Sequence, residues 1–519
     1  MSQRLASAII LTICAVGFGW YMSVARKRKS SKVEEFFVAG RNIGVPLFAQ
    51  TSWGSSFAFG NSIFYAAWLG YTMGLSALWL QGLWAIGMCC YALLLPRLIP
   101  FTGNYTLHGF LGSQYGRWCR WIASVVSVIG LTILLGFEVS FAAQYFTRIT
   151  GLIHFEWIVV VVAATFFATF CSIGGFKANS ITDRISNYLG ASTLILLIVV
   201  LSIKNRGPIS AAISSADMKA SLFDFSSAAP LFVAGLAFFS LFNIVDMTNW
   251  QTVSANSLNS EHGPDAMVKR RSMRNAMFLA AALFIIAPVL TGTWLGFLLR
   301  ILKTGTDDQA SFMYVLVRQV FDSGTVGGVL MIALITFAFM ASSLAGIDSW
   351  ILASTQTLSW DIVEYERFKS VEFQATRFDN ATHEAITKRA RLILYCVGIG
   401  GTVLVYAVSK IWNNIFALQF IIFGGGLSML PALLWGLFRG NRAGSRILSV
   451  GAVTSIGAGY VSAVLLFVIS VLNKTPAMVD PLPLISLGVA SAVFGIAIGC
   501  NALFRGRAVV PVGETPAQS

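Results

Sequence analysis

Thr51-Ser52-Trp53-Gly54-Ser55-Ser56-Phe57-Ala58-Phe59-Gly60-Asn61-Ser62-Ile63-Phe64 lies inside an apolar run that covers about 46–70. A helix crosses a bilayer with roughly 20 mostly apolar residues, so the run is long enough to span. Its middle is nevertheless rich in Gly, Ser and Asn. Glycine tolerates unwinding, and short polar side chains can replace lost backbone hydrogen bonds. The composition therefore predicts a spanning helix that breaks near its centre. Small residues also let helices pack closely, so one such run alone is ambiguous. A second run, about 229–250, carries Asn243, Asp246, Asn249 and Gln251 in the same way. The two lie five spans apart, the spacing an inverted repeat would give, and the pair favours two broken helices.

Working outward, the same rule finds thirteen apolar runs in the 519 residues. They fall near 5–25, 46–70, 72–96, 119–147, 156–173, 183–203, 229–250, 275–299, 325–353, 390–409, 413–438, 446–472 and 483–504. None alternates with period two, so the spans read as helices, and the fold class is all-α integral membrane. The longest gap, about 354–389, reads as a polar amphipathic connection. Composition agrees: 56% of residues are hydrophobic and 11% charged, against about 25% charged in soluble domains. An ordinary soluble enzyme, a disordered chain and a nucleic-acid binder are excluded on these grounds. The net charge of +14 is spread in short clusters between apolar runs.

Those clusters orient the chain. With the N-terminus outside, 26 of the 36 Lys and Arg residues fall on the cytoplasmic side, as the positive-inside rule requires. They include Arg26 to Lys29, Arg117, Arg120, Lys269 to Arg271, Lys369, Arg377, Arg442, Arg505 and Arg507. Ser23-Val24-Ala25 resembles a signal-peptide cleavage site, but the charges follow the first run instead of preceding it, which reads as an uncleaved anchor. The C-terminal tail after Arg507 is then cytoplasmic, and no signalling domain is expected to follow it. Asn473-Lys474-Thr475 matches a glycosylation sequon too short to carry weight. The seven cysteines lack metal spacing and read as small buried residues. The four histidines read as loop or span-end residues. HExxH, P-loop and GxSxG patterns are absent, and an enzyme is not expected.

Acids inside spans are costly and usually mark a substrate or ion pathway. Glu138 sits mid-span between Phe137 and Val139, and Asp348 follows Ala345-Gly346-Ile347. Asp183 and Asp246 lie toward span ends, where a solvated carboxylate is the simpler reading. No Lys or Arg sits mid-span to neutralise any of them. Asn61, Ser62, Asn243 and Asp246 line the expected breaks and are candidate solute ligands. An unpaired carboxylate at Glu138 would attract a positively charged or strongly hydrogen-donating solute.

Several segments resemble the sodium/solute symporter family. Phe36-Phe37-Val38-Ala39-Gly40-Arg41-Asn42-Ile43-Gly44 is similar to its FF-x-(G/A)-GR-x-x-G segment. Thr106-Leu107-His108-Gly109-Phe110-Leu111-Gly112 with Tyr115-Gly116 is similar to its TLPEFLG-x-x-YG loop. Gly174-Gly175 and Thr182-Asp183 match its GG-x6-TD signature. The resemblance runs over about 35–505. It implies a LeuT-like core of two inverted five-helix repeats and one extra N-terminal helix. Residues 1–35 would form that helix and a basic loop, 36–440 the transport core, and 441–519 two further helices and a tail.

The resemblance also implies a site. The family's sodium ligands fall on the carbonyls of Gly54, Phe57 and Ser342, while in the preferred, ungapped register its hydroxyl pair falls on Ala345 and Gly346, which have no hydroxyl; a register with a three-residue insertion before Asp361 would instead match its Ser-Ser motif to Ser342-Ser343. A second cation position falls on Asp183, Asp348 and Ser349. Paired acids there would hold sodium or share a proton. Gln81 and Gln419 fall where sugar-binding members place polar side chains. Asp246 to Gln251 resembles the family's D-x4-QR segment, with Thr252 in place of Arg. Trp53, Phe57 and Trp79 read as gates or as core. The function expected is cation-coupled symport of a small polar solute, cationic or amine-bearing by preference, across a cell membrane by alternating access. Sodium is the first choice of coupling ion and a proton the second. No cofactor beyond that ion and no nucleic acid is expected. A solute sensor without coupled uptake is the different-class alternative.

Overall fold

A computed structural model describes residues 3–29, 32–104, 106–215, 222–223, 229–256, 264–306, 308–322, 324–368, 378–411, 415–439, 445–473 and 480–507. Lys369, Arg377, Arg442, the Lys474-Thr475 half of the sequon and the tail lie outside these residues. Among them the chain is helical and without strands. Ten helical stretches among the described residues are long and apolar enough to cross a membrane. Their surface is apolar where it is exposed: Val16, Trp118, Ile203 and Leu472 are each at least 70% exposed. Water would penalise such a surface; lipid tails do not.

The thirteen expected runs map unevenly onto these helices. Run 46–70 is split into α3 (Val45–Gly54) and α4 (Tyr65–Met73), which follow α1 (Gln3–Lys27) and the short α2 (Val33–Val38). A tight turn at Gly74, φ 75°, carries α4 directly into α5 (Ala77–Leu98). A short helix, α6 (Leu107–Tyr115), precedes the long α7 (Arg117–Thr150). Runs 156–173 and 183–203 form one helical stretch, α8 (Glu156–Lys204), kinked at Gly175. There φ is +57° and an added Cβ would lie 2.7 Å from the Phe36 carbonyl oxygen, so the reversal needs glycine. Run 229–250 divides into α9 (Ala229–Val245) and α10 (Met247–Asn256) at Asp246. Next come α11 (Pro264–Phe284) and α12 (Thr291–Leu302), joined by a π turn.

The ninth run is longer than expected. α13 (Val326–Thr357) continues through a π turn to Val363, so the first part of the supposed polar connection is buried helix. Further along the chain come α14 (Asn380–Tyr395), α15 (Thr402–Ile411), α16 (Ile415–Ser428), α17 (Leu430–Phe438), α18 (Arg446–Leu472) and α19 (Leu482–Arg507), besides short helices at Arg206–Ser215, Gln309–Val320 and Tyr365–Phe368. α13 is the central post and packs on α1, α7 and α8. Phe337 of α13 covers Gly17 of α1 so closely that an added Cβ would sit 2.1 Å from its ring. Cys14, Cys119 and Cys171 are buried as expected, but Cys396 is exposed.

The extended end of α13 explains a polar cluster that local pattern does not disclose. Asp361 accepts from Arg120 Nε at 2.7 Å and from Thr106 Oγ1 at 2.9 Å, and His108 Nδ1 lies 3.2 Å away. All four side chains are buried. His108 is thus a core group, not the loop histidine that its sequence position suggests. Thr106 also caps α6 by accepting from the Gly109 N–H at 2.8 Å. Thr106→Val keeps the shape but removes both bonds. It is expected to cost about 1–3 kcal/mol, because a buried charged acceptor and a helix N–H each lose a partner. Thermal unfolding in detergent measures it; an unchanged midpoint would refute the role.

Candidate functional site

The helix through the opening stretch does break. α3 ends at Gly54, whose carbonyl accepts the Phe57 N–H at 2.9 Å, and Ala58 is extended at φ −95°, ψ 154°. The chain turns helical again at Phe59. A helix start leaves its first N–H groups without intrahelical partners and carries a partial positive charge. Here Glu138 of α7 meets both needs. It accepts from the Gly60 N–H at 2.7 Å, the Asn61 N–H at 3.0 Å and Asn61 Nδ2 at 2.8 Å. Ser343 of α13 donates a fourth bond at 2.8 Å. Gly60 is required for this approach, since an added Cβ would lie 2.9 Å from Glu138 Oε2.

This corrects one expectation. Glu138 is not an unpaired carboxylate facing solute; it is saturated by four neutral donors and is absent from the lining of the cavity described below. Asn243, also a candidate ligand, bridges the second break instead. Its backbone carbonyl and Oδ1 accept from Asn249 Nδ2 at 3.0 and 3.2 Å, and its own Nδ2 donates to the Trp84 carbonyl at 3.3 Å. Trp250 Nε1 serves the Ile244 carbonyl at 3.2 Å. Asp246 caps α10 by accepting the Thr248 N–H at 2.9 Å. Two carbonyls near the end of α9, those of Asn243 and Ile244, and the Thr248 N–H at the start of α10 are thus served by side chains of the break itself.

Between the two breaks lies a cavity. Asn61, Ser62, Gln81, Asp246 and Gln419 line it, together with Ser55, Ser56, Tyr65 and Trp84. Space for water in it is about 50 Å³, above the roughly 10–15 Å³ that a cavity needs to hold a water. Gln419 Nε2 donates to Asn61 Oδ1, so the amide that Glu138 orients also ties α16 to the break. Gln81 is buried and its Nε2 has no partner among the described residues. Trp84 Nε1 donates to Ser56 Oγ at 3.2 Å. Trp53 and Phe57 are buried, whereas Trp79 is 46% exposed.

On the other side of the first break two acids meet. Asp183 of α8 and Asp348 of α13 are fully buried and near enough for their carboxyl groups to act on each other electrostatically. Asp183 is therefore not the solvated span-end carboxylate of the simpler reading. Among the described residues both of its oxygens lack a donor, as do Asp348 Oδ2 and Asn187 Oδ1. Gly54 adjoins this group: an added Cβ would lie 3.2 Å from Asp183 Cβ and 2.9 Å from Asn187 Nδ2. Ser349 Oγ sits 3.4 Å from Asp348 Oδ1. Tyr21 of α1 reaches the same region and bonds Ser186 Oγ at 2.8 Å. Ser342 lies beside Phe57 and Gly190, and Gly346 packs on Ala58. Buried oxygens that face one another without donors are unstable alone; a bound cation or a shared proton relieves them.

Sequence reasoning missed the bond from Ser343 to Glu138, the Arg120–Asp361 cluster and the aromatic lining around Trp84. Only the last had a signal: Trp84 stands three residues after Gln81, on the same helix face.

No protein-family model matches the chain, and no curated protein matches it. Solved structures do. An outward-open, substrate-bound Na+-coupled sialic acid symporter superposes with a TM-score of 0.65 at 12% identity, over 95% of this chain and 98% of that one. Mhp1, a nucleobase-cation-symport-1 family transporter in a closed conformation with bromovinylhydantoin bound, gives 0.50 at 13% identity, over 90% and 95%. The chain therefore has the LeuT-type transporter fold.

Proposed function

We propose that the chain is a secondary active transporter of the sodium/solute symporter type, which moves a small polar, cationic or amine-bearing solute together with a cation. Sodium is the first choice of driving ion and a proton the second. The observation that supports this most directly is the Asp183–Asp348 pair beside the break at Gly54. Two carboxylates without a counter-charge would be costly in a low-dielectric interior, so the site is stable when a cation or proton occupies it. Hard oxygens suit sodium. The Gly54 carbonyl keeps a free lone pair for the ion, and Ser349 would add a hydroxyl. Solute would bind at Asn61, Ser62, Gln81, Asp246 and Gln419.

Coupling follows if the ion draws α3, α8 and α13 together and thereby favours the state whose cavity accepts solute. The core of 36–440 would rock as two inverted repeats in the cell membrane, N-terminus outside and C-terminus cytoplasmic. The solved symporters that share the fold are consistent with this reading.

A thermal-shift screen of the purified chain against small solutes, in sodium or potassium and at two pH values, tests it. Sodium is expected to add to the stabilisation that a solute confers. Stabilisation at acid pH regardless of sodium would assign the proton instead. Binding without ion dependence, and without accumulation in proteoliposomes, would replace the transporter by a sensor.

A further inference from the structure

The cavity's chemistry specifies its solute more narrowly. Among the described residues that line it, Asp246 is the one carboxylate and none is basic. Asp246 Oδ1 is taken by the Thr248 N–H. Much of the remaining wall is aromatic. The Trp84 ring is the hub, with centroids of Phe239, Phe242, Phe284 and Phe423 at 6.1, 6.0, 6.5 and 6.3 Å. Phe242 and Phe423 meet edge-on at 4.9 Å and 90°.

An anionic solute would meet Asp246 with no compensating cation. A neutral solute would leave the carboxylate without a counter-charge. A primary ammonium carries three N–H donors; Asp246 and the neutral oxygens of Ser55, Ser56, Ser62 and Gln419 can accept on one side of the cavity, but the ring side of the wall offers no acceptor. An N-methylated ammonium presents methyl groups to the rings and a diffuse charge to both the ring quadrupoles and Asp246. Gln81 Nε2, buried in the wall without a partner among the described residues, calls for an acceptor on the same solute. We infer that the solute of this site is an N-methylated ammonium compound that also bears a hydroxyl, carbonyl or carboxylate oxygen, held by Asp246, the Trp84 ring cluster and Gln81. This deepens the transport reading above and rests on it for the word solute.

Three probes that share a hydroxyethyl arm test the inference by binding to the purified full-length chain: choline, its uncharged carbon isostere 3,3-dimethylbutan-1-ol, and ethanolamine, which lacks the methyl groups. Choline is expected to bind at least tenfold tighter than either of the others. Trp84→Leu and Asp246→Asn are each expected to remove that preference, and Phe284→Leu to weaken it if Trp84→Leu does not fold. Equal or tighter binding of ethanolamine or of the isostere overturns the inference, and so does binding of none of the three. Repeating the titration in sodium and in potassium separates the two readings. Choline binding indifferent to the ion and to pH keeps this inference and removes coupling. Sodium-dependent binding of a different, neutral solute keeps coupling and removes this inference.

Discussion

Glu138→Ala is expected to reduce uptake to background and to destabilise the chain by about 3–4 kcal/mol. The figure takes about 1 kcal/mol for each buried donor left without an acceptor. Those donors are the N–H groups of Gly60 and Asn61, the Asn61 amide and the Ser343 hydroxyl. Loss of transport follows from position. Without the carboxylate the helix that starts at Phe59 loses its anionic cap. Asn61 is then free to turn, and its bond from Gln419 goes with it. Glu138→Gln separates charge from shape. Its amide oxygen can accept, but its NH₂ group faces N–H donors, so an intermediate loss is expected. Thermal unfolding together with radiolabelled uptake measures both effects. A Glu138→Ala protein with normal stability and normal apparent affinity would refute the capping role.

Asp348→Ala is expected to abolish ion dependence and to lower uptake at saturating ion on the order of a hundredfold, equivalent to about 2.7 kcal/mol. The variant removes one of the two carboxyl groups that converge beside Gly54, while Asp183 stays buried without a donor among the described residues. A single buried carboxylate is expected to take up a proton and stay neutral, which leaves nothing for sodium to neutralise. Asp183→Asn, which keeps the volume, is expected to behave alike, whereas Ser349→Ala should shift ion affinity only modestly. Sodium titration of uptake at fixed solute is the measurement. Unaltered sodium activation in Asp348→Ala would place the driving ion elsewhere.

Much of the fold was legible because the properties that decide it are local. Run length and apolarity mark a spanning helix wherever it sits, and Gly54, Gly60 and the serines around them mark a weak point in one. The second break was legible in the same way, from Asn243 and Asp246. Helix merging was less so. Gly74 and Gly175 permit sharp turns without polar loops, so neighbouring runs join where a hydropathy pattern would separate them. The end of α13 misled because Asp361 makes its segment look polar, yet Arg120 and Thr106 arrive from distant sequence to satisfy it.

The acids show the division most clearly. Sequence alone established that carboxyl groups lie inside apolar spans, and which spans break, since both follow from residues within one helix length. It could not assign their tasks. Glu138 finds its donors 77, 78 and 205 residues away, and Asp183 meets Asp348 only because α8 and α13 pack side by side. Whether a buried carboxylate is satisfied by donors or left to hold a cation depends on which side chains surround it in three dimensions. Helix packing alone sets those neighbours: it made Glu138 a cap and left Asp183 and Asp348 facing each other.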